Sequence, residues 1–175
     1  ERDFSKAFNY YRNAAKAGYV DAQNSLGECY LLGKGIDRDN EEAIKWIKKA
    51  AEQGNVSAQN SMGEFYLLGV AGLSQNYTEA VKWYQKAANQ GYSLAQNNLG
   101  CMYLNGYGVD VDYFKSTKYF RLAAEQGSAA AQYNLGNAYY DGKGVEKNYL
   151  EAVKWYQKSA NQGYKEAINR LKEMK

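Results

Sequence analysis

An all-α solenoid of antiparallel helix pairs, about 36 residues per repeat, is the fold this chain predicts. Three observations lead there. A six-residue signature returns down the chain, as Ala-Gln-Asn-Ser-Leu-Gly from Ala22, Ala-Gln-Asn-Ser-Met-Gly from Ala58, Ala-Gln-Asn-Asn-Leu-Gly from Ala95 and Ala-Gln-Tyr-Asn-Leu-Gly from Ala131. The apolar residues inside each period follow helical spacing. Proline is absent from all 175 residues, as suits a chain that is helical nearly throughout. A unit of this length holds one pair of short helices and cannot bury its own apolar face, so consecutive units stack and share a core.

The first helix of each unit carries Ala22, Leu26 and Tyr30 at i, i+4 and i+8, on one face. Its later copies are Ala58, Met62, Tyr66; Ala95, Leu99, Tyr103; and Ala131, Leu135, Tyr139. The second helix carries Ala43, Trp46, Ala50, then Ala80, Trp83, Ala87, a degenerate Ser116, Tyr119, Ala123, and Ala152, Trp155, Ser159. Ala7, Tyr10 and Ala14 make the opening helix a second helix without its partner. The chain is therefore read as one array: a leading half repeat at 1–18, full repeats at 19–54, 55–91, 92–127 and 128–163, and a closing helix at 164–175, ten helices in all.

Punctuation agrees with the period. Gly18, Gly54, Gly91, Gly127 and Gly163 follow second helices, and Gly33, Gly69, Gly106 and Gly142 end first helices, where left-handed caps belong. Asp3, Asp39, Asn76, Asp112 and Asn148 are N-cap types, and Glu42, Glu79 and Glu151 stand three residues later as in a capping box. The loop after Gly69, running through Ala71, is one residue longer than its counterparts. Gly27, Gly63, Gly100 and Gly136 fall inside first helices, where glycine costs about 1 kcal/mol against alanine. A close approach by the second helix, with its Trp or Tyr ring over the gap, is the expected reason.

Composition narrows the chemistry. Lysine and arginine number 22 against 19 acidic residues, a net charge of +3, too small to indicate a nucleic-acid partner. No apolar run approaches a membrane span, so direct membrane insertion is not expected. Histidine is absent, which removes Ser-His-Asp and Cys-His catalysis and every His-ligated metal site. Cys29 and Cys101 lack CxxC spacing and lie two units apart, so two free thiols are expected. Gly-Lys-Gly at Gly33 and Gly142 lacks the spacing of a phosphate loop and recurs as a helix connector. No catalytic residue, metal site or cofactor is expected.

The pattern Ala-x-x-x-Leu-Gly-x-x-Tyr-x-x-Gly-x-Gly-Val followed by Ala-x-x-Trp-x-x-x-Ala-Ala-x-x-Gly resembles the Sel1-like repeat family, relatives of the tetratricopeptide repeats, over essentially the whole chain. That resemblance implies a right-handed α-solenoid serving as an adaptor or scaffold, often in bacterial envelope or virulence settings and in eukaryotic quality control. One branch is cysteine-rich, with a cysteine pair in each repeat and a link to β-lactam binding; this chain lacks the pairs. The chain opens in mid-pattern at Glu1, as an excerpt of a longer envelope, secreted or effector protein would, and a cytoplasmic setting stays open as well.

The candidate site is a surface. Opposite Ala22, Leu26 and Tyr30 lie Asn24, Glu28 and Leu31, about 180–240° away at 100° per residue. The copies are Asn60, Glu64, Leu67; Asn97, Cys101, Leu104; and Tyr133, Asn137, Tyr140. By the same resemblance these residues face the concave groove. Three stacked asparagines would grip the backbone of an extended peptide, with the leucines and Tyr140 supplying apolar contact. The expected function is a non-catalytic scaffold binding a peptide or helix of a protein partner, the chain itself being monomeric with self-association left open. The alternatives are a cell-wall or β-lactam-type ligand binder or enzyme, and a structural spacer. A lysine stripe, Lys45, Lys82, Lys118 and Lys154, is read as a solvated face, since Glu42, Glu79 and Glu151 precede three of its members by one helical turn.

Overall fold

Short helices of equal length follow one another because the same capping signals recur at the same intervals. The computed structural model describes residues 2–70 and 72–174, with Arg2 described in its backbone alone; Glu1, Lys175 and Ala71 of the widened loop lie outside the described residues. Ten helices and no strand occur among the described residues, and the architecture is the all-α helical-repeat solenoid. The chain divides into two units, residues 1–90 and 91–175. The first holds α1 (Arg2–Lys16), α2 (Val20–Leu32), α3 (Asn40–Glu52), α4 (Val56–Leu68) and α5 (Tyr77–Asn89). The second holds α6 (Ser93–Asn105), α7 (Tyr113–Glu125), α8 (Ala129–Asp141), α9 (Tyr149–Asn161) and α10 (Lys165–Glu173).

Second helices start on the expected caps. Asp39, Asn76, Asp112 and Asn148 accept from the backbone N–H of Glu42, Glu79, Lys115 and Glu151 at 2.9–3.0 Å. Asp3 is not a cap, because α1 already includes it in its first turn. The reciprocal half of the capping box is also replaced. The N–H of each cap residue donates instead to a tyrosine carbonyl in the preceding helix, Tyr30, Tyr66, Tyr103 or Tyr139, at 2.8–3.0 Å. That bond closes the inter-helix loop, and it persists at Asn76 although the loop before it is longer. Glu42 is thereby released to bind Lys45 and the indole N–H of Trp46.

Within a pair, the mid-helix glycines allow the backbones to meet. A methyl at Gly63 would fall 2.6 Å from ring carbons of Tyr84, at Gly100 2.7 Å from Phe120, at Gly136 2.6 Å from Tyr156 and at Gly27 2.5 Å from Ile47. The covering residue is thus the one after the tryptophan position, not the Trp or Tyr expected from the sequence. One residue is a 100° rotation, which carries Trp46 and Trp155 to the flank of the pair, where Lys49 and Lys158 sit 5.2 and 4.0 Å from their rings. In the Gly-Lys-Gly connector, a methyl on Gly144 would run into the Tyr113 carbonyl, so its second glycine serves packing rather than phosphate.

Between pairs a buried glutamine makes the join. Gln59 donates to the Ala51 carbonyl at the end of α3 (3.0 Å) and accepts from Gln90 at the end of α5 (2.9 Å). Gln23 does the same with Ala15 and Gln53, and Gln132 with Ala124 and Gln162. Around these amides lie apolar clusters, such as Ile47, Ala50, Met62, Phe65 and Trp83 in the first unit and Phe120, Ala123, Ala131 and Leu135 in the second.

Two outcomes are expected in urea denaturation. Gly63→Ala should lose about 1–3 kcal/mol by overpacking against Tyr84, outweighing the roughly 1 kcal/mol that alanine gains in helix propensity; a more stable variant would contradict the close-approach account. Gln59→Leu, although more apolar, should lose about 1–3 kcal/mol because it removes two hydrogen bonds at the buried junction, one donated to the Ala51 carbonyl and one accepted from the Gln90 amide. An unchanged midpoint would show the glutamine join to be dispensable.

Candidate functional site

First helices of neighbouring repeats share a face in each unit. Asn55 at the start of α4 donates to the Asp21 carboxylate of α2 (2.9 Å), and Asn134 of α8 donates to Asn97 of α6 (2.9 Å). These lateral bonds fix how the predicted site residues lie.

In the first unit the six residues form two like sets. Asn24 and Asn60 are only 8% and 5% exposed, and each donates its amide to the glutamate one turn on, Asn24 to Glu28 at 2.8 Å and Asn60 to Glu64 at 2.9 Å. Both are buried, so the asparagines are orienting groups and the accessible polar atoms belong to Glu28 and Glu64, both exposed. Asn24 Oδ1 is buried without a hydrogen-bond partner. Leu31 is half-buried and packs on the core, and Leu67 is half-buried too. Beside Glu28 lies a recess of about 230 Å³ lined by Phe4, Tyr11, Cys29 and Lys34 among others.

In the second unit the equivalent positions are uncharged and differently occupied. Asn97 Oδ1 is taken by Asn134, whose amide also approaches Cys101 Sγ at 3.9 Å. Asn137 Oδ1 accepts from the Tyr156 hydroxyl at 2.7 Å, and burial pushes that hydroxyl up to about 12, so it remains a donor at neutral pH. Tyr133 packs between Tyr156 and Tyr164, with centroids 5.7 and 5.6 Å away. Tyr140 stands edge-on to Tyr149 at 5.1 Å and carries the Arg170 guanidinium 4.5 Å above its ring. Leu104 and Asn137 line one small cavity.

Both thiols are free. Burial raises Cys29, and it pushes Cys101 up to about 11, so neither is a thiolate nucleophile at neutral pH. Among the described residues no cluster of three or more His, Cys, Asp or Glu could hold a metal ion, and no helix is long and apolar enough to cross a membrane. The lysine stripe is locally paired where expected: Lys45 with Glu42, Lys82 with Glu79 and Lys154 with Glu151, at 2.5–2.6 Å.

Sequence reasoning missed Asn134, Ser116, Tyr156 and Arg170. Asn134 stands where earlier repeats have Ser25, Ser61 and Asn98, and Ser116 where the others have alanine; the serine is visible as a break in the repeat, though its meaning is not.

Comparison with known proteins places this geometry. The Sel1 repeat model matches residues 1–19, 20–55, 56–92, 93–128 and 129–164. The chain is 42% identical to c5321, a protective antigen present in uropathogenic Escherichia coli strains displaying an SLR fold, with a TM-score of 0.92 over 95% of this chain and 36% of that one. It is 38% identical to a Sel1 repeat protein from Oxalobacter formigenes, with a TM-score of 0.90 over 95% of this chain and 68% of that one. It is 26% identical to the immunity protein Pa5087 from Pseudomonas aeruginosa, with a TM-score of 0.60 over 94% of this chain and 60% of that one. The chain thus spans about a third of the length of the Escherichia coli antigen. No curated protein matches it. With five repeat copies matched from residue 1 to 164, the chain belongs to the Sel1 repeat family.

Proposed function

We propose that this chain is a non-catalytic scaffold that holds an extended segment or helix of a partner protein along the faces of its first helices, with Glu28 and Glu64 as its principal polar contacts in the first unit. Sel1 repeat proteins generally act as scaffolds of protein interaction. The observation that carries the finer reading is the repeated Asn–Glu pair: two exposed carboxylates are each held one turn from a buried amide that donates to them, at 2.8 and 2.9 Å. Side-chain entropy is spent in folding rather than on binding, which favours recognition. The carboxylates accept N–H bonds from an extended backbone or from a lysine or arginine side chain. Half-buried Leu31 and Leu67 lie one turn beyond and supply apolar contact.

The lysines of the second helices fit a different role. Three of them close ion pairs within their own helix, so they present little free positive charge to an anionic partner. The absence of a low-pKa thiol near the first-helix face supports binding over covalent chemistry.

Selection of binders from a random displayed-peptide library, followed by fluorescence anisotropy with the purified chain, tests this reading. Glu28→Gln with Glu64→Gln is expected to weaken the selected peptides about tenfold or more, as loss of charge-assisted bonds predicts, and the wild-type affinity should fall with added salt. Equal affinity for the folded double variant would overturn the assignment of these carboxylates.

A further inference from the structure

Two buried positions replace an alanine of the repeat by serine, and while Ser159 donates to the Ala129 carbonyl at 2.7 Å, Ser116 is different. Ser116 stands where Ala43, Ala80 and Ala152 stand in the other units, and all four side chains are at most 1% exposed. Alanine asks nothing of its surroundings there. Serine brings a hydroxyl, and this one has no hydrogen-bond partner, which native interiors rarely keep without a reason.

Ser116 lines a cavity of about 150 Å³ between α6, α7 and α8, walled on its apolar side by Leu104 and Phe120. Its polar side is Asn134, Asn137 and Asp141. Two of these have one hand occupied and one open. Asn134 spends its amide N–H on Asn97, which leaves its oxygen to accept; Asn137 spends its oxygen on Tyr156, which leaves its N–H to donate. Thr117 spends its one hydrogen on the Lys143 carbonyl at 2.8 Å. At the rim Asp141 is held 3.5 Å from Lys143, so the cavity carries no net charge to select an ion.

A donor, an acceptor and a hydroxyl beside an apolar wall match one chemical group closely, the primary carboxamide, whose oxygen accepts and whose NH₂ donates. The volume agrees. It exceeds the share of a single water, about 30 Å³, and a cavity of about 150 Å³ takes a benzene-sized molecule. Leu104 and Asn137 belong also to the first-helix face, so the cavity adjoins the surface assigned to the partner. We propose that the Ser116 cavity is a side-chain pocket for an asparagine or glutamine of a polypeptide lying on the α6 and α8 face. The inference rests on the scaffold reading and adds the residue class that one repeat selects.

The test uses free amino-acid derivatives, so that it does not depend on finding the partner. ¹⁵N-labelled chain is titrated with the N-acetyl methylamides of glutamine and asparagine, and with those of glutamate, lysine and leucine, for the wild type and for Ser116→Ala. That variant is expected to fold, since alanine already occupies the position in three repeats. The expected result is saturable, millimolar-range shifts of the Asn134 and Asn137 side-chain amides with the carboxamide probes, weakened about fivefold to tenfold in Ser116→Ala. Equal binding of the leucine probe, preference for a charged probe, unchanged binding by the variant, or no saturable shift because the cavity holds water alone, would each overturn the pocket. None of these results touches the Glu28 and Glu64 experiment, which reads the first unit.

Discussion

The junction between helix pairs depends on a buried glutamine that ties the main-chain end of one pair to the side-chain amide of the glutamine ending the next. The last carbonyls of a helix have no partners within it, and at a repeat junction water cannot reach them. Gln23, Gln59 and Gln132 each donate to such a carbonyl in the preceding pair and accept from a glutamine ending their own pair. An apolar side chain would fill the same space but remove one hydrogen bond from each group, leaving the carbonyl only the bond from the glycine N–H three residues on and the partner amide only its bond to a main-chain carbonyl. The amide also fixes rotation, because its two partners lie on different helices. Apolar burial supplies most of the cohesion, and the glutamines specify how one pair meets the next.

From that join follows the character of the surface. First helices of neighbouring repeats are drawn close enough for Asp21 to meet Asn55 and for Asn97 to meet Asn134. In the first unit the buried asparagines of the signature are props for their glutamates, while in the second their place in the hydrogen bonding passes to Asn134 and Tyr156. The same repeat thus presents carboxylates in one unit and neutral polar and aromatic groups in the other. Such variation on a constant frame is how a repeat protein acquires specificity without altering its fold.

Much of the frame was legible because it rests on local rules. Helix number, glycine caps and N-cap residues depend on one or two turns of chain, and Asp39, Asn76, Asp112 and Asn148 cap as their residue types dictate. What escaped depends on contacts far apart in sequence. The ring over the mid-helix glycine is Tyr84 and Tyr156 rather than the adjacent tryptophans, and with two aromatics side by side the sequence offers no local reason to choose. Only Ile47 and Phe120, large apolar residues at the same station in the other repeats, hint at it. A single-helix projection puts Asn24 and Asn60 on an open face, because it contains none of the tertiary contacts that bury them. The return bond of the capping box was displaced by Tyr30, Tyr66, Tyr103 and Tyr139, whose carbonyls reach the cap only once the pair has closed.

The footprint of a library-selected peptide on isotope-labelled chain by NMR, with intermolecular contacts assigned, tests whether partners are held on the first-helix faces. Contacts running along Glu28, Leu31, Glu64 and Leu67 in α2 and α4, with the second-helix lysines Lys45 and Lys82 unperturbed, are the predicted result. A footprint centred on those lysines and on Trp46 and Trp83, leaving the first helices untouched, would contradict it.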